Sequence, residues 1–149
     1  MKANAMKQEQ VELLDNEGRK ELVSASQTGE DLYQLDSTPS FAYQVSLNDI
    51  VRVMRGEDGQ LRFVEVVEKS GNRTVRVLLN KFSLDSELGK AILAFIAEQG
   101  CQYGNAHVNV LTITAPPEVD LQVIETRLVE YGVWWEYADP LWDQIHGND

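Results

Sequence analysis

Pro39-Ser-Phe-Ala-Tyr-Gln-Val-Ser-Leu-Asn-Asp-Ile-Val-Arg-Val53, Leu61-Arg-Phe-Val-Glu-Val-Val-Glu-Lys69 and Thr74-Val-Arg-Val-Leu-Leu79 are three β-branched stretches separated by a Gly56-Glu-Asp-Gly59 turn and a Ser70-Gly-Asn72 turn. Apolar runs punctuated at hairpin spacing predict an antiparallel meander, the nucleus of a small twisted sheet or partly open barrel. In the third stretch Val75, Val77 and Leu79 alternate with Thr74 and Arg76, the pattern of a half-buried strand. In the second the alternation slips. Leu61 and Phe63 share one face while Val64 and Val66 share the other, which calls for a bulge near Phe63 or burial on both faces.

Working outward, Val11–Leu14 and Glu21–Ser26 flank Asp15-Asn-Glu-Gly18 and read as a hairpin, and Leu32–Leu35 reads as a short strand closed by Asp36-Ser-Thr-Pro39. Residues 1–10 have no periodicity and are expected to be disordered. After Lys81 the period shifts toward 3.6. Leu88, Ile92, Phe95, Ile96 and Gln99 form one stripe of a helix expected over 84–99, capped by Ser83 or Ser86 and ended by Gly100. Val108–Thr114, apolar on both faces, reads as a central strand. Pro116-Pro117 opens a helix expected over 117–131 with Leu121, Ile124, Leu128 and Tyr131 inward, Glu118, Gln122 and Glu125 outward, and Gly132 as its stop. Val133–Tyr137 is the last strand, and Asp139-Pro140 breaks it before a short acidic tail. The fold class is α+β: an N-terminal antiparallel β-meander or small barrel followed by a β-α-β-α-β layer. One compact domain over 1–149 is expected, with a β-rich subdomain over 11–81 and an α+β subdomain over 82–149.

A chain of 149 residues is long enough for a sizeable core without staples. Its formal charge of -11 is unevenly spread: -5 over residues 1–49, +3 over 50–81, -2 over 82–117 and -7 over 118–149. Net acidity repels phosphate backbones at long range, which counts against nucleic acid and suits a cationic protein partner. Solvation of an ordinary surface is the plainer reading of the same acids. No apolar run reaches the length of a membrane span, and the first residues lack the apolar centre of a signal peptide. The single Cys101 has no internal disulfide partner. A cytoplasmic protein without membrane attachment is expected.

The search for chemistry is mostly negative. Cys101 is the one thiol and His107 and His146 the two imidazoles. They read either as a Cys–His pair on adjoining loop and strand or as a buried structural cysteine and a surface histidine. There is no C-x-x-C, no H-E-x-x-H, no Asp-rich calcium loop and no phosphate-cradling glycine motif, so no metal, nucleotide or other cofactor is expected. Glu65 and Glu68, three apart in a strand, point to opposite faces. Two constellations remain. Arg52, Arg62 and Arg76, on three successive expected strands, form either a basic stripe suited to phosphate or an acidic partner, or cross-strand pairs with Glu65 and Glu68. Trp134, Glu136, Asp139, Trp142 and Asp143 make an aromatic cluster ringed by carboxylates, suited to a basic protein partner. Packing of Trp134 beneath the tail is the alternative.

The string Pro39-x-Phe41-x-Tyr43-x-Val45-Ser46-x-x-Asp49-x-Val51, followed by Gly59-x-Leu61-x-Phe63-x-x-Val66-Val67-x-x-Ser70-Gly71 and the late Trp135-Glu136-Tyr137, resembles a bacterial family classed only as a domain of unknown function. The resemblance runs from about Val11 to Tyr137. Some members of that family look like immunity proteins of polymorphic or contact-dependent toxin systems. The resemblance therefore implies toxin neutralisation and supplies no catalytic residues. Together with the charge it leads to the expectation of an immunity-type binding protein, not an enzyme, that neutralises a cognate cationic toxin such as a nuclease by direct contact. The alternatives are a regulatory module that binds nucleic acid or ribonucleoprotein through the basic β-face, and a hydrolase or transferase with a site near Cys101 and His107.

Overall fold

Asp15 accepts hydrogen bonds from the backbone N–H groups of Glu17 and Arg19, both at 2.8 Å, and Gly18 takes φ +83°. That turn joins β1 (Gln8–Leu14) to β2 (Lys20–Gly29), as the sequence predicts. The computed structural model describes residues 7–147 and falls into two units, Met1–Asn72 and Arg73–Asp149. Residues 1–6 of the start expected to be disordered lie outside the described residues. Gln8, Glu9 and Gln10, by contrast, are strand residues opposite Ser26, Ala25 and Ser24.

In the first unit β3 (Leu32–Leu35), β4 (Ile50–Arg55) and β5 (Leu61–Glu68) continue the antiparallel series, and the five strands form a closed barrel. With an odd number of alternating strands the first and last run the same way, so the closing pair is parallel: Val11 opposite Leu61 and Glu12 opposite Arg62. Side chains reinforce this two-residue seam. Arg62 Nε donates to Glu12 at 3.1 Å, Arg55 holds both oxygens of Glu9 at 3.1 and 2.9 Å, and Gln60 donates to the Gln10 carbonyl at 2.9 Å. The core inside consists of Val11, Leu13, Val23, Ala25, Tyr33, Leu35, Val51, Val53 and Leu61, joined by Ala42 and Val45 from the β3–β4 connection. The slip in β5 is a bulge: Arg52 faces Glu65 and Val53 faces Phe63, leaving Val64 as the extra, exposed residue.

Two sequence expectations fail here. Residues 39–49 are not strand, because Gln44 and Asn48 take φ +65° and +70°, which ends an extended run. Glu21 instead holds the N–H groups of Ser40, Phe41 and Ala42 at 2.5–3.0 Å. Nor does Ser70-Gly-Asn72 turn β5 into a third meander strand. Ser70 N–H donates to the buried Asp49, and Ser70 Oγ and Asn72 Nδ2 both donate to the Leu47 carbonyl, so the chain leaves the barrel. Asp49 is completed by Ser46 N–H at 2.8 Å and Lys69 Nζ at 2.7 Å.

The next strand, β6 (Arg73–Leu78), belongs to the second unit. It lies in a four-stranded sheet of order β7-β8-β6-β9, with β7 at Gln102–Gly104, β8 at Val110–Ala115 and β9 at Trp135–Asp139. Central β8 is buried along its whole length, with Leu111, Ile113 and Ala115 on one face and Val110, Thr112 and Thr114 on the other. The apolar face of this sheet clusters with Ile92, Phe95 and Ile96 of α1 (Glu87–Glu98) and with Ile124 and Leu128 of α2 (Leu121–Tyr131). The stripes match the sequence, and the starts move inward because the side chains of Ser86 and Asp120 take the capping positions. Pro116–Val119 stays a turn, clamped by Arg73, whose guanidinium donates to the carbonyls of Ala115, Pro116 and Val119. The expected β-α-β-α-β layer gains β7 and a final short helix, α3 (Trp142–His146), both too short to carry a period.

Two outcomes test this fold. Gly89 in α1 lies so close to Ser83 and Leu84 that an added Cβ would stand 2.3 Å from a backbone oxygen. Gly89→Ala, stabilising by about 1 kcal/mol in an open helix, is expected here to destabilise by roughly 1–3 kcal/mol in denaturant titration. The hydrogen bond from Arg55, with help from Lys7 and Tyr33, holds the Glu9 carboxyl at about 2, below its usual 4.5. A depressed carboxyl stabilises the fold above its unfolded value and ceases to do so as it protonates. The stability gap between wild type and Glu9→Gln should therefore be constant above about pH 5 and close between about pH 4.5 and pH 2.

Candidate functional site

Strand alternation at the end of the chain separates the aromatic residues that the sequence places together. Trp135 and Tyr137 point to the helix-packed face, where their rings meet edge-on at 5.0 Å. Trp134, one residue earlier, is 57% exposed. After Pro140, α3 brings Trp142 back toward the inward pair, 6.3 Å from Trp135 and 6.0 Å from Tyr137 between ring centres. Trp142 also lies against the His146 ring at 3.9 Å, the i,i+4 spacing of one helical turn.

A carboxylate organises this corner. Tyr137 Oη donates to Glu125 Oε1 at 2.6 Å, and His146 Nε2 stands 2.9 Å from the same oxygen. Burial, then the adjacent Glu125 charge, pushes the Tyr137 hydroxyl well above its ordinary range, so it remains a proton donor at neutral pH. Glu125 thus pins α3 to α2, and Trp142, 48% exposed, stands as a rigid aromatic edge with Asp143 beside it in the first turn of α3. Such an edge can stack on and desolvate an apolar or cationic group.

The remaining members of the expected cluster lie elsewhere. Glu136 is opposite Arg76, their side chains 3.4 Å apart, and Asp139 is buried at the end of β9 opposite Thr74. Trp134 borders a groove of about 150 Å³ with Leu78, Phe82 and Leu88, and Lys81 Nζ stands 5.2 Å from its ring centre.

The three arginines do not share a sheet. Arg52 pairs with Glu65 at 2.9 Å, and Arg62 with Glu12 at 3.1 Å and Asp58 at 2.7 Å, all on the barrel. Arg76 is buried in the second unit's sheet. The stripe needed β6 beside β5, and the hydrogen bonds of Ser70 and Asn72 prevent that. Cys101 and His107 flank opposite ends of β7. The thiol is explained by the end of α1: Gly100 takes φ +85°, Gly100 N–H donates to Ala97 and Cys101 N–H to Ile96, placing Cys101 where a Schellman motif buries an apolar residue. Burial raises its pKa, the opposite of an activated thiol. Among the described residues no three His, Cys, Asp or Glu side chains are placed to hold a metal, and no helix is long and apolar enough to cross a membrane.

The sequence reading missed Glu125, Tyr137, His146 and Lys81. Glu125 reads as solvent-facing on α2, and nothing local shows that residues 12 and 21 positions later return to it.

Fold and site together define a two-unit α+β protein, a five-stranded barrel followed by a helix-backed sheet with an aromatic edge. The chain belongs to the family described as Domain of unknown function (DUF4265), whose model matches residues 21–137. It is also similar to the crystal structure of a hypothetical protein from Neisseria gonorrhoeae, with a TM-score of 0.68 and 28% identity over 93% of this chain and 97% of that one. No curated protein matches.

Removing the shared acceptor tests the corner. Glu125→Ala leaves the buried Tyr137 hydroxyl without this partner and is expected to cost about 1–3 kcal/mol in denaturant titration. The exposed Glu118→Ala should stay within about 0.5 kcal/mol of wild type.

Proposed function

We propose that this protein is an immunity-type binding protein that neutralises a basic partner, a toxin such as a nuclease, through the Trp142–Asp143 edge and without catalysis of its own. The observation that carries the reading is the half-exposed Trp142, stacked on His146, whose ring nitrogen meets Glu125, and flanked by Asp143. Exposed tryptophans on rigid supports are the residues that carry binding energy in interfaces, and carboxylates beside them select a cationic face. The setting is favourable, since the second unit has eleven acidic residues against five basic ones. The toxin as partner is what the sequence resemblance over residues 39–71 and 135–137 implies, and the basic character is what the charge suits.

The partner site is narrower than the sequence suggested. Asp139 is buried and Glu136 sits with Arg76, so reversing either would disturb the sheet rather than probe a surface. A control for net charge must be exposed and outside the ion pairs of the barrel, which excludes Glu9 and Glu12, since both hold arginines at the barrel seam. Glu30 and Glu57 are exposed and serve instead.

Growth rescue tests the reading. A basic toxin domain encoded beside this gene, produced in cells together with this protein, should no longer arrest them. Asp143→Lys should slow association, and the wild-type on-rate should fall steeply as salt shortens the Debye length from about 30 Å to about 8 Å. Trp142→Ala should mainly speed dissociation, with a loss of roughly 2 kcal/mol or more. Glu30→Lys and Glu57→Lys should change little. A neighbouring gene that encodes no toxin, cells left unprotected, or controls that slow association as much as Asp143→Lys would each overturn it.

A further inference from the structure

We propose that the groove beside Trp134 is a separate binding site, built for the C-terminal residue of a partner polypeptide when that residue is apolar. Three observations converge. The groove measures about 150 Å³ and its walls are Leu78, Phe82, Leu88, Val133 and the Trp134 ring. A cavity of that size with such walls holds one benzene-sized group, so it takes a single branched or aromatic side chain and excludes a helix. Trp134 is 57% exposed although its neighbour Trp135 packs against the core, so apart from the Lys81 ammonium over it the ring is open beside the groove.

The third observation is the cation at the rim. Lys81 Nζ lies 5.2 Å from the Trp134 ring centre, and among the described residues no carboxylate forms an ion pair with it. Of the other cations of the second unit, Arg76 meets Glu136, Arg127 meets Glu130 and Arg73 holds carbonyl groups, while Lys90 on α1 does not line this groove. An apolar slot with an ammonium at its mouth matches a ligand whose apolar group and anion are only a few bonds apart. In a polypeptide only the last residue carries an apolar side chain and a free carboxylate on the same Cα. An internal aspartate or glutamate brings the charge without the apolar group. The Asn80 amide, also in the lining, supplies a second donor for a terminal carboxylate. This site lies apart from the Trp142–Asp143 edge and takes the opposite charge.

N-acetyl-L-phenylalanine is the probe, titrated into the full chain while the Trp134 indole N–H and the backbone N–H groups of the lining residues Asn80 and Val133 are followed by NMR, the latter also in Trp134→Ala. One ring and one carboxylate should bind with a dissociation constant on the order of 1 mM. N-acetyl-L-phenylalaninamide, identical except for its charge, should bind at least about tenfold more weakly, a difference of about 1.4 kcal/mol. Lys81→Met should weaken the acid to the level of the amide, and Trp134→Ala should remove the binding of both. Both side chains are exposed, and unchanged thermal melting would show that the variants fold. Equal affinity for acid and amide, no shift at tens of millimolar, or an acid preference that survives Lys81→Met would overturn the proposal. Decanoate binding more tightly than N-acetyl-L-phenylalanine would also overturn it, by assigning the groove to acyl carboxylates.

Discussion

A five-stranded up-and-down sheet closes on itself only by setting its first strand parallel to its last, and the first unit depends on that constraint. Parallel pairing is slightly weaker per residue than antiparallel pairing, and here it spans two residue pairs. The seam is therefore strengthened by side chains at long sequence separation: Glu12 with Arg62, Glu9 with Arg55 and Tyr33, and Gln60 with the Gln10 carbonyl. Two of the seven basic residues in 50–81, Arg55 and Arg62, are engaged at the seam, and a third, Arg52, pairs with Glu65 between β4 and β5. Arg52, Arg55 and Arg62 are structural cations, and the positive charge that stands out along the chain is neutralised across strands.

The buried Asp49 determines where the barrel ends. Its carboxylate is stabilised by two backbone N–H groups and the Lys69 ammonium, which meets the requirement that a buried charge be paired and hydrogen-bonded. Because one of those N–H groups belongs to Ser70, just after β5, the same contact that anchors the irregular β3–β4 connection releases the chain from the barrel. Everything from Arg73 onward is then free to build a second core around β6 and β8.

The two proposed sites arise from the same division of contacts. On β9 one face is committed to the core and the next residue is left outside, so two tryptophans adjacent in sequence do different work. Trp135 supports the corner on which Trp142 and His146 stack, and Trp134 walls a groove with a lysine at its rim. One aromatic edge is bordered by carboxylate and the other by ammonium, so they suit ligands of opposite charge.

Periodicity alone determined the elements whose signal repeats within themselves. The Asp15–Gly18 hairpin, the inward stripes of α1 and α2, the strand at β8 and the slip of alternation beside Phe63 were all legible, because each depends on residues a few positions apart. The candidate site was legible only as a composition, aromatics among acids near the C-terminus. Its division into Trp142 with Asp143, Trp134 with Lys81, and the structurally engaged Glu136 and Asp139 was not. Tertiary structure alone decided the sheet to which β6 belongs, the loss of the arginine stripe, and the role of Glu125. The physical reason is the same in each case. A strand pattern specifies which side chains share a face but not what lies alongside, and that was decided by long-range hydrogen bonds, among them Ser70 to Asp49, Asn72 to Leu47 and Tyr137 to Glu125, that leave no repeat in the chain.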